Sequence, residues 1–200
     1  KSDMNEPSTE KLYKLASIAH FKTQGNGSCA DIAASTYGGW IHYRAFESSW
    51  LLDEINKEAA INKLVERSWP NLLITPITPP STLKVCVGWT GKEASTAPMI
   101  DKINNLRKRQ PKMYARFLEE SESAVGNLVN SFREGDCLHA ISSLSQNRGA
   151  LMRLSEAAET TIETIKLKRL IQIADKFGSG KTSGAGGGDC GVAFLNGESS

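Results

Sequence analysis

The sequence predicts an α+β fold in two parts, and three observations predict it. Short strand-like runs at 40–46, 83–89 and 190–195 are set among longer stretches whose apolar residues recur three or four apart. A proline-rich stretch at 76–80 interrupts the chain and is its best linker, so the two parts are expected at 1–80 and 81–200. A glycine-rich run at 181–189 joins a helix-patterned segment to a strand-like one. With 200 residues, 40% of them apolar, the chain can build one large core or two small ones.

The first helix is expected to be capped by Ser8, to carry Leu12, Leu15, Ile18 and Ala19 on its buried face, and to close at Gly25. Gly25-Asn-Gly-Ser-Cys-Ala-Asp31 follows as a turn, and 32–37 reads as a short helix stopped by Gly38 and Gly39. Small residues just ahead of a helix, here Gly27 and Ser28, favour an anion at its N-terminus. Asp31 has two readings there: a first-turn carboxylate complementing the helix dipole, or a reactive carboxylate aimed into a cleft.

Alternating aromatics at 40–46 predict a strand with Ile41, Tyr43 and Ala45 on one face and His42 on the other. His42, His20 and His139 have no partners at ligand spacing and read as ordinary surface or core histidines. One helix is expected from Ser48 or Ser49 to about Arg67, then a strand over 71–75. Beyond the linker, the run 83–89 reads as a buried strand entering a turn, Thr90-Gly-Lys92. Ser95 or Thr96 would then cap a helix with Pro98 in its first turn, so that strand, glycine turn, Lys92 and the Ser95 or Thr96 hydroxyl make either another anion site or an ordinary β-to-α connection. Helical periodicity fills 99–177, with breaks expected near Pro111, Gly135 and Gly149, and the last helix marked by Ile162, Ile165, Leu170, Ile173, Ala174 and Phe177. Arg148, beside the expected break at Gly149, has two readings: a cation facing a ligand, or the commoner solvated arginine.

Four glycines within 184–188 free the backbone to turn several N–H groups towards one anion, a phosphate cradle in outline. A flexible linker is the bland alternative, and the run's position between two packed elements argues against it. Gly178-Ser-Gly-Lys-Thr182 matches the end of a P-loop, but Asp175 stands where that motif needs its first glycine, and a P-loop leaves a strand to open a helix. A net charge of +2, with both signs interspersed, excludes a broad field for nucleic acid or anionic membrane, so any anion must be held locally. Cys29, Cys86, Cys137 and Cys190 are widely spaced and read as reduced thiols, which suits the cytoplasm.

In order, the three small-residue segments are Gly25-Asn-Gly-Ser-Cys-Ala-Asp31-Ile-Ala-Ala, Gly88-Trp-Thr-Gly-Lys-Glu-Ala-Ser-Thr96 and Lys181-Thr-Ser-Gly-Ala-Gly-Gly-Gly-Asp-Cys-Gly191. Together they resemble the later part of the GHMP kinases, and within that family the bacterial-type branch whose acceptor is 5-phosphomevalonate. The last segment is the most specific. The resemblance covers nearly the whole chain and implies a two-domain fold. An α/β catalytic domain like the second domain of ribosomal protein S5, here 1–80, would be followed by a ferredoxin-like domain, 81–200, with the active site between them. It implies transfer of the γ-phosphoryl group of Mg-ATP to (R)-5-phosphomevalonate in the mevalonate route to isoprenoids. ATP and Mg2+ are the implied cofactors, and neither nucleic acid nor membrane is an expected partner. Asp31 matches the family's catalytic aspartate, and Ser183, Gly184, Ala185, Gly186 and Gly187 match its third motif at the phosphate and substrate site. Lys92, Arg148 and Lys181 are candidates for the acceptor phosphate. The family's ATP-phosphate loop would precede Ser8, and a closing helix and strand would follow Leu195, so the chain is expected to be a piece of a longer polypeptide. Another GHMP small-molecule kinase, such as one acting on mevalonate, and a non-catalytic ligand sensor on the same fold are the alternatives.

Overall fold

The structure, a computed structural model, describes residues 7–57, 60–93 and 97–198, and falls into two units, Lys1–Thr78 and Pro79–Ser200.

The first unit begins with α1 (Thr9–Gln24). The Ser8 hydroxyl accepts from the Lys11 amide at 3.3 Å, and Gly25, at φ +72°, ends the helix with its N–H on the Phe21 carbonyl. The buried face is Tyr13, Lys14, Ser17, Ile18 and Phe21, whereas Leu12 and Leu15 are 49% and 40% exposed. The expected stripe was therefore rotated. Two polar residues lie at the centre of the true one, and Lys14 is satisfied there by the Arg67 carbonyl at 2.8 Å and Glu10 at 2.6 Å. After α2 (Ala30–Tyr37), strand β1 (Trp40–Arg44) pairs antiparallel with β2 (Leu73–Ile77), with Tyr43 opposite Ile74. The long helix expected from residue 48 is two, α3 (Ser48–Asn56) and α4 (Ile61–Glu66). On one continuous helix, Leu64 would point roughly 140° away from Leu51. The break allows both to be buried. An aromatic core results, in which Phe46 meets Trp69 edge-on at 4.8 Å and Phe21 at 5.4 Å.

The second unit has a three-stranded antiparallel sheet in the order β3 (Leu83–Trp89), β5 (Cys190–Asn196), β4 (Gly178–Thr182). Helices α5 (Ala97–Arg109), α6 (Pro111–Glu134), α7 (Cys137–Ala157) and α8 (Ile165–Ala174) connect β3 to β4. The expected helix break at Gly149 is absent. A mid-helix glycine costs only about 1 kcal/mol, and burial of Ala150 and Leu154 just beyond it outweighs that. Of the residues expected to mark the last helix, Ala174 is buried on α8 and Ile162 just ahead of it, but Ile165, Ile173 and Phe177 are 88%, 55% and 63% exposed, and Leu167 and Ile171 complete the inner face instead.

Strand β4 has no counterpart in the sequence reading, because Gly-Ser-Gly-Lys-Thr carries no strand propensity. Its small residues serve packing instead. A Cβ on Gly180 would come within 3.0 Å of the Ala174 side chain and 3.3 Å of the Ile171 backbone, so any side chain there would press α8 away from the strand. No helix among the described residues is long and apolar enough to cross a membrane.

Candidate functional site

The glycine run is the tip of the β4–β5 hairpin, not a link from helix to strand as expected. Lys181 and Thr182 lie in β4, paired with Val192 and Gly191. This placement removes the P-loop alternative on physical grounds, since Lys-Thr of a P-loop must open a helix and here it ends a strand.

Three anchors hold the tip. The Ser183 amide and hydroxyl both donate to the Cys190 carbonyl, at 2.9 and 3.0 Å. The Gly187 amide donates to the Ile162 carbonyl at 2.7 Å, and the Asp189 amide to the Lys92 carbonyl at 2.8 Å. Between them, the amides of Gly184, Ala185, Gly186 and Gly188 have no hydrogen-bond partner among the described residues. Gly186 and Gly188 are nonetheless buried. Rigidly held, unpaired donors of this kind suit an anion with several oxygens. Gly186, at φ +81°, admits no side chain: its Cβ would stand 2.4 Å from the Ile162 carbonyl oxygen.

The turn after β3 is stitched to this tip within the same unit. The Thr90 amide donates to the Asp189 carbonyl at 2.8 Å, and the Lys166 ammonium donates to the Thr90 carbonyl at 2.8 Å. Lys92 is exposed, and its ammonium has no partner among the described residues. The structure thus brings Lys92 beside the hairpin tip with Ser183, Gly184, Ala185, Gly186 and Gly187. Ser95 and Thr96 lie outside the described residues. Lys166, which sequence reasoning missed, supplies another cation at the turn. Its signal would have been a lysine in the first turn of α8, where the dipole disfavours it.

Lys181 is different. Its ammonium donates to the Thr182 carbonyl at 2.9 Å, and burial pushes its pKa down from the ordinary lysine value. The neighbouring Thr182 hydroxyl is buried and has no partner among the described residues.

Arg148 sits inside α7 rather than at a helix break. Its Nε and Nη2 hold the two oxygens of Glu163 at 2.7 and 3.0 Å, and Nη1 holds Asp175 at 3.1 Å. The guanidinium is thereby neutralised by two carboxylates, and its pKa is raised chiefly by the Glu163 hydrogen bonds. Asp175 also accepts from the Gly180 amide at 3.1 Å, so the cluster ties α7, α8 and β4 together.

In the first unit, α2 begins without a side-chain cap. Its N-cap residue Cys29 has the left-handed backbone, φ +54° and ψ +23°. The Ser28 hydroxyl accepts from the Ala30 amide at 3.4 Å, and Gly27, at φ +122°, runs beneath the His20 ring. Asp31, in the first turn, is exposed, and its carboxylate has no hydrogen bond or ion pair among the described residues. The loop's carbonyls are tied back: His20 Nε2 meets the Asn26 carbonyl at 2.9 Å and the Tyr43 hydroxyl donates to the Ser28 carbonyl.

No three His, Cys, Asp or Glu side chains gather into a metal site among the described residues. An open groove of about 630 Å3 runs along α6 and α7, lined by Glu119, Glu120, Gln146 and Arg153, and includes no residue of the hairpin tip.

The crystal structure of a Lin0012 protein from Listeria innocua is similar to this chain with a TM-score of 0.89 at 35% identity, over 96% of this chain and 54% of that one. Residues 137–200 match the family described as GHMP kinases C terminal. The chain has the GHMP kinase fold. Another member of the fold, the Streptococcus pneumoniae phosphomevalonate kinase in complex with phosphomevalonate and AMPPNP, is similar with a TM-score of 0.82 at 26% identity, over 96% of this chain and 55% of that one. In sequence, the chain is 34% identical over 196 residues to the phosphomevalonate kinase of Streptomyces sp. (strain CL190), covering 98% of this chain and 52% of the relative. The chain spans about half the length of the curated relatives it matches.

Proposed function

We propose that the protein carrying this chain transfers the γ-phosphoryl group of ATP to (R)-5-phosphomevalonate, giving 5-diphosphomevalonate and ADP. The observation that carries this reading is the 34% identity to a phosphomevalonate kinase along 98% of the chain. The unpaired amides of the hairpin tip agree with it, because both substrates present phosphate oxygens. The solved relative with phosphomevalonate and AMPPNP supports the same pair of substrates.

The acceptor is itself a phosphate with a second pKa of about 6, so near neutral pH its attacking oxygen needs no base. That oxygen bonds to the γ-phosphorus as the bond to the β–γ bridging oxygen breaks, and ADP leaves with the electron pair. The obstacle is charge. Two unit charges ~4 Å apart repel by about 4 kcal/mol at an effective dielectric near 20, and several such pairs arise. In our reading, Lys92, Lys166 and the amides of Gly184, Ala185 and Gly186 offset that repulsion at the acceptor phosphate.

Mg2+ would arrive with ATP and neutralise oxygens of the β- and γ-phosphates. Such an ion is usually held by one or two carboxylates together with substrate phosphates and water. The partnerless carboxylate of Asp31 is the group of this chain we assign to that role, orienting charge rather than removing a proton. In the same reading, a reaction that draws on ATP suits the cytoplasm.

The test is ADP release by the intact protein with ATP and either phosphomevalonate or mevalonate. Turnover with phosphomevalonate and only background with mevalonate is expected. Preference for mevalonate would move the protein to another branch of the family, and calorimetric binding without turnover would make it a sensor.

A further inference from the structure

We propose that Tyr43, seated by Tyr13, is a positioning residue that sets the start of α2 and thereby the aim of Asp31. For its catalytic half the inference rests on the functional reading above.

Tyr13 lies at the fully buried centre of α1, and its hydroxyl is 2.8 Å from that of Tyr43 on β1. Tyr43 in turn reaches the Ser28 carbonyl. A carbonyl only accepts, so Tyr43 must donate to Ser28 and accept from Tyr13. The chain of two hydroxyls therefore runs in one direction, from the core to the loop. A tyrosine keeps its proton throughout the neutral range, and burial foremost raises the pKa of Tyr43 further.

Its target is a strained point. The Ser28 carbonyl belongs to the peptide that leads into Cys29, a residue with a side chain held at φ +54°. Left-handed backbone costs a non-glycine residue roughly 1–2 kcal/mol, so something must hold it there. The Cys29 side chain is buried, and two polar contacts restrain this peptide: the short Tyr43 bond to the Ser28 carbonyl and the longer one, at 3.4 Å, from the Ala30 amide to the Ser28 hydroxyl. The first turn of α2 hangs from the same residue, since the Ala33 amide donates to the Cys29 carbonyl at 3.0 Å. If the Ser28–Cys29 peptide turns over, the first turn and Asp31 within it are re-aimed. Tyr43 itself need not touch a substrate for this to matter.

The experiment compares Tyr43→Phe with the unaltered intact protein in two readouts. The first is amide exchange without any substrate: at Ala33 it should quicken about tenfold, the effect of losing one buried hydrogen bond, while α1 amides such as Phe21 keep their rates. The second is steady-state kinetics: kcat should fall about tenfold with KM for ATP unchanged. Adding Cys29→Gly, which adopts the left-handed backbone without strain, should restore most of kcat to the Tyr43→Phe protein. Unchanged Ala33 exchange overturns the proposal, and so does faster exchange with kcat intact or not rescued by Cys29→Gly. An unaltered protein without phosphomevalonate turnover defeats the functional reading and the catalytic half with it. The exchange data then still decide whether Tyr43 sets the start of α2.

Discussion

Arg148 clasps Glu163 through two parallel hydrogen bonds, and the Glu163 carboxylate is only 3% exposed. Residue 163 follows Ile162, whose carbonyl anchors Gly187 of the hairpin tip. The pair thus fixes the segment on which the glycine loop rests. Arg148→Met strands a buried carboxylate and should cost about 3–5 kcal/mol in urea unfolding. Adding Glu163→Gln should recover a good part of that loss. If Arg148 instead grips a phosphate, stability changes little and the rise in acceptor KM dominates.

Gly186 and Gly184 both have left-handed backbones, at φ +81° and +64°, but only Gly186 faces an obstacle. Gly184→Ala meets nothing within 4 Å and should cost about 1 kcal/mol from backbone strain alone. Gly186→Ala drives a methyl into the Ile162 carbonyl and should displace the tip, with turnover falling at least about 100-fold. Thermal melts and kinetics on the two variants separate strain from steric exclusion. Equal effects would mean that the tip is soft.

Asp31→Asn keeps the shape of the side chain and removes its charge. Turnover is expected to fall about 100-fold or more, while the acidic limb of the pH profile stays near pH ~6, where the acceptor phosphate titrates. A limb that vanishes with the substitution would make Asp31 the base.

Asp136 caps α7, accepting from the His139 amide at 2.9 Å and from His139 Nδ1 at 2.8 Å. The Asp136 bond holds the His139 pKa above its ordinary value. Below the ordinary histidine value the imidazolium contributes stability, and that contribution is lost as pH rises through the raised one. The melting-temperature difference between the unaltered protein and His139→Gln should therefore shrink as pH climbs from about 5 to 8. Asp136→Asn should flatten that dependence.

Much of this molecule was legible in its residue order. Strand β3 followed in extent from its apolar run, but not its expected burial, since only Leu83 is inside and Val87 and Trp89 are 69% and 67% exposed. Helix α5 followed from turn residues, and the cap at Ser8, the stop at Gly25 and the close of α6 at Gly135 from local backbone chemistry. Burial faces were less so. Lys14 and Ser17 occupy the inner side of α1 because partners distant in sequence satisfy them or cover them, which periodicity does not register. Gly149 passes through a helix and Gly178 to Thr182 form a strand for a related reason: neighbouring elements supply the packing that intrinsic preference lacks.

The glycine run and Asp31 stood out by composition and spacing, since only small residues permit such turns. What holds them did not. Ile162, Lys166 and Asp189 meet around the hairpin tip, and Tyr13 and Tyr43 behind Ser28, through hydrogen bonds between residues far apart in the chain. Residue types fix which groups can donate, accept or bend. Only the folded backbone decides which of them face one another, because a hydrogen bond depends on distance and angle that no local pattern encodes.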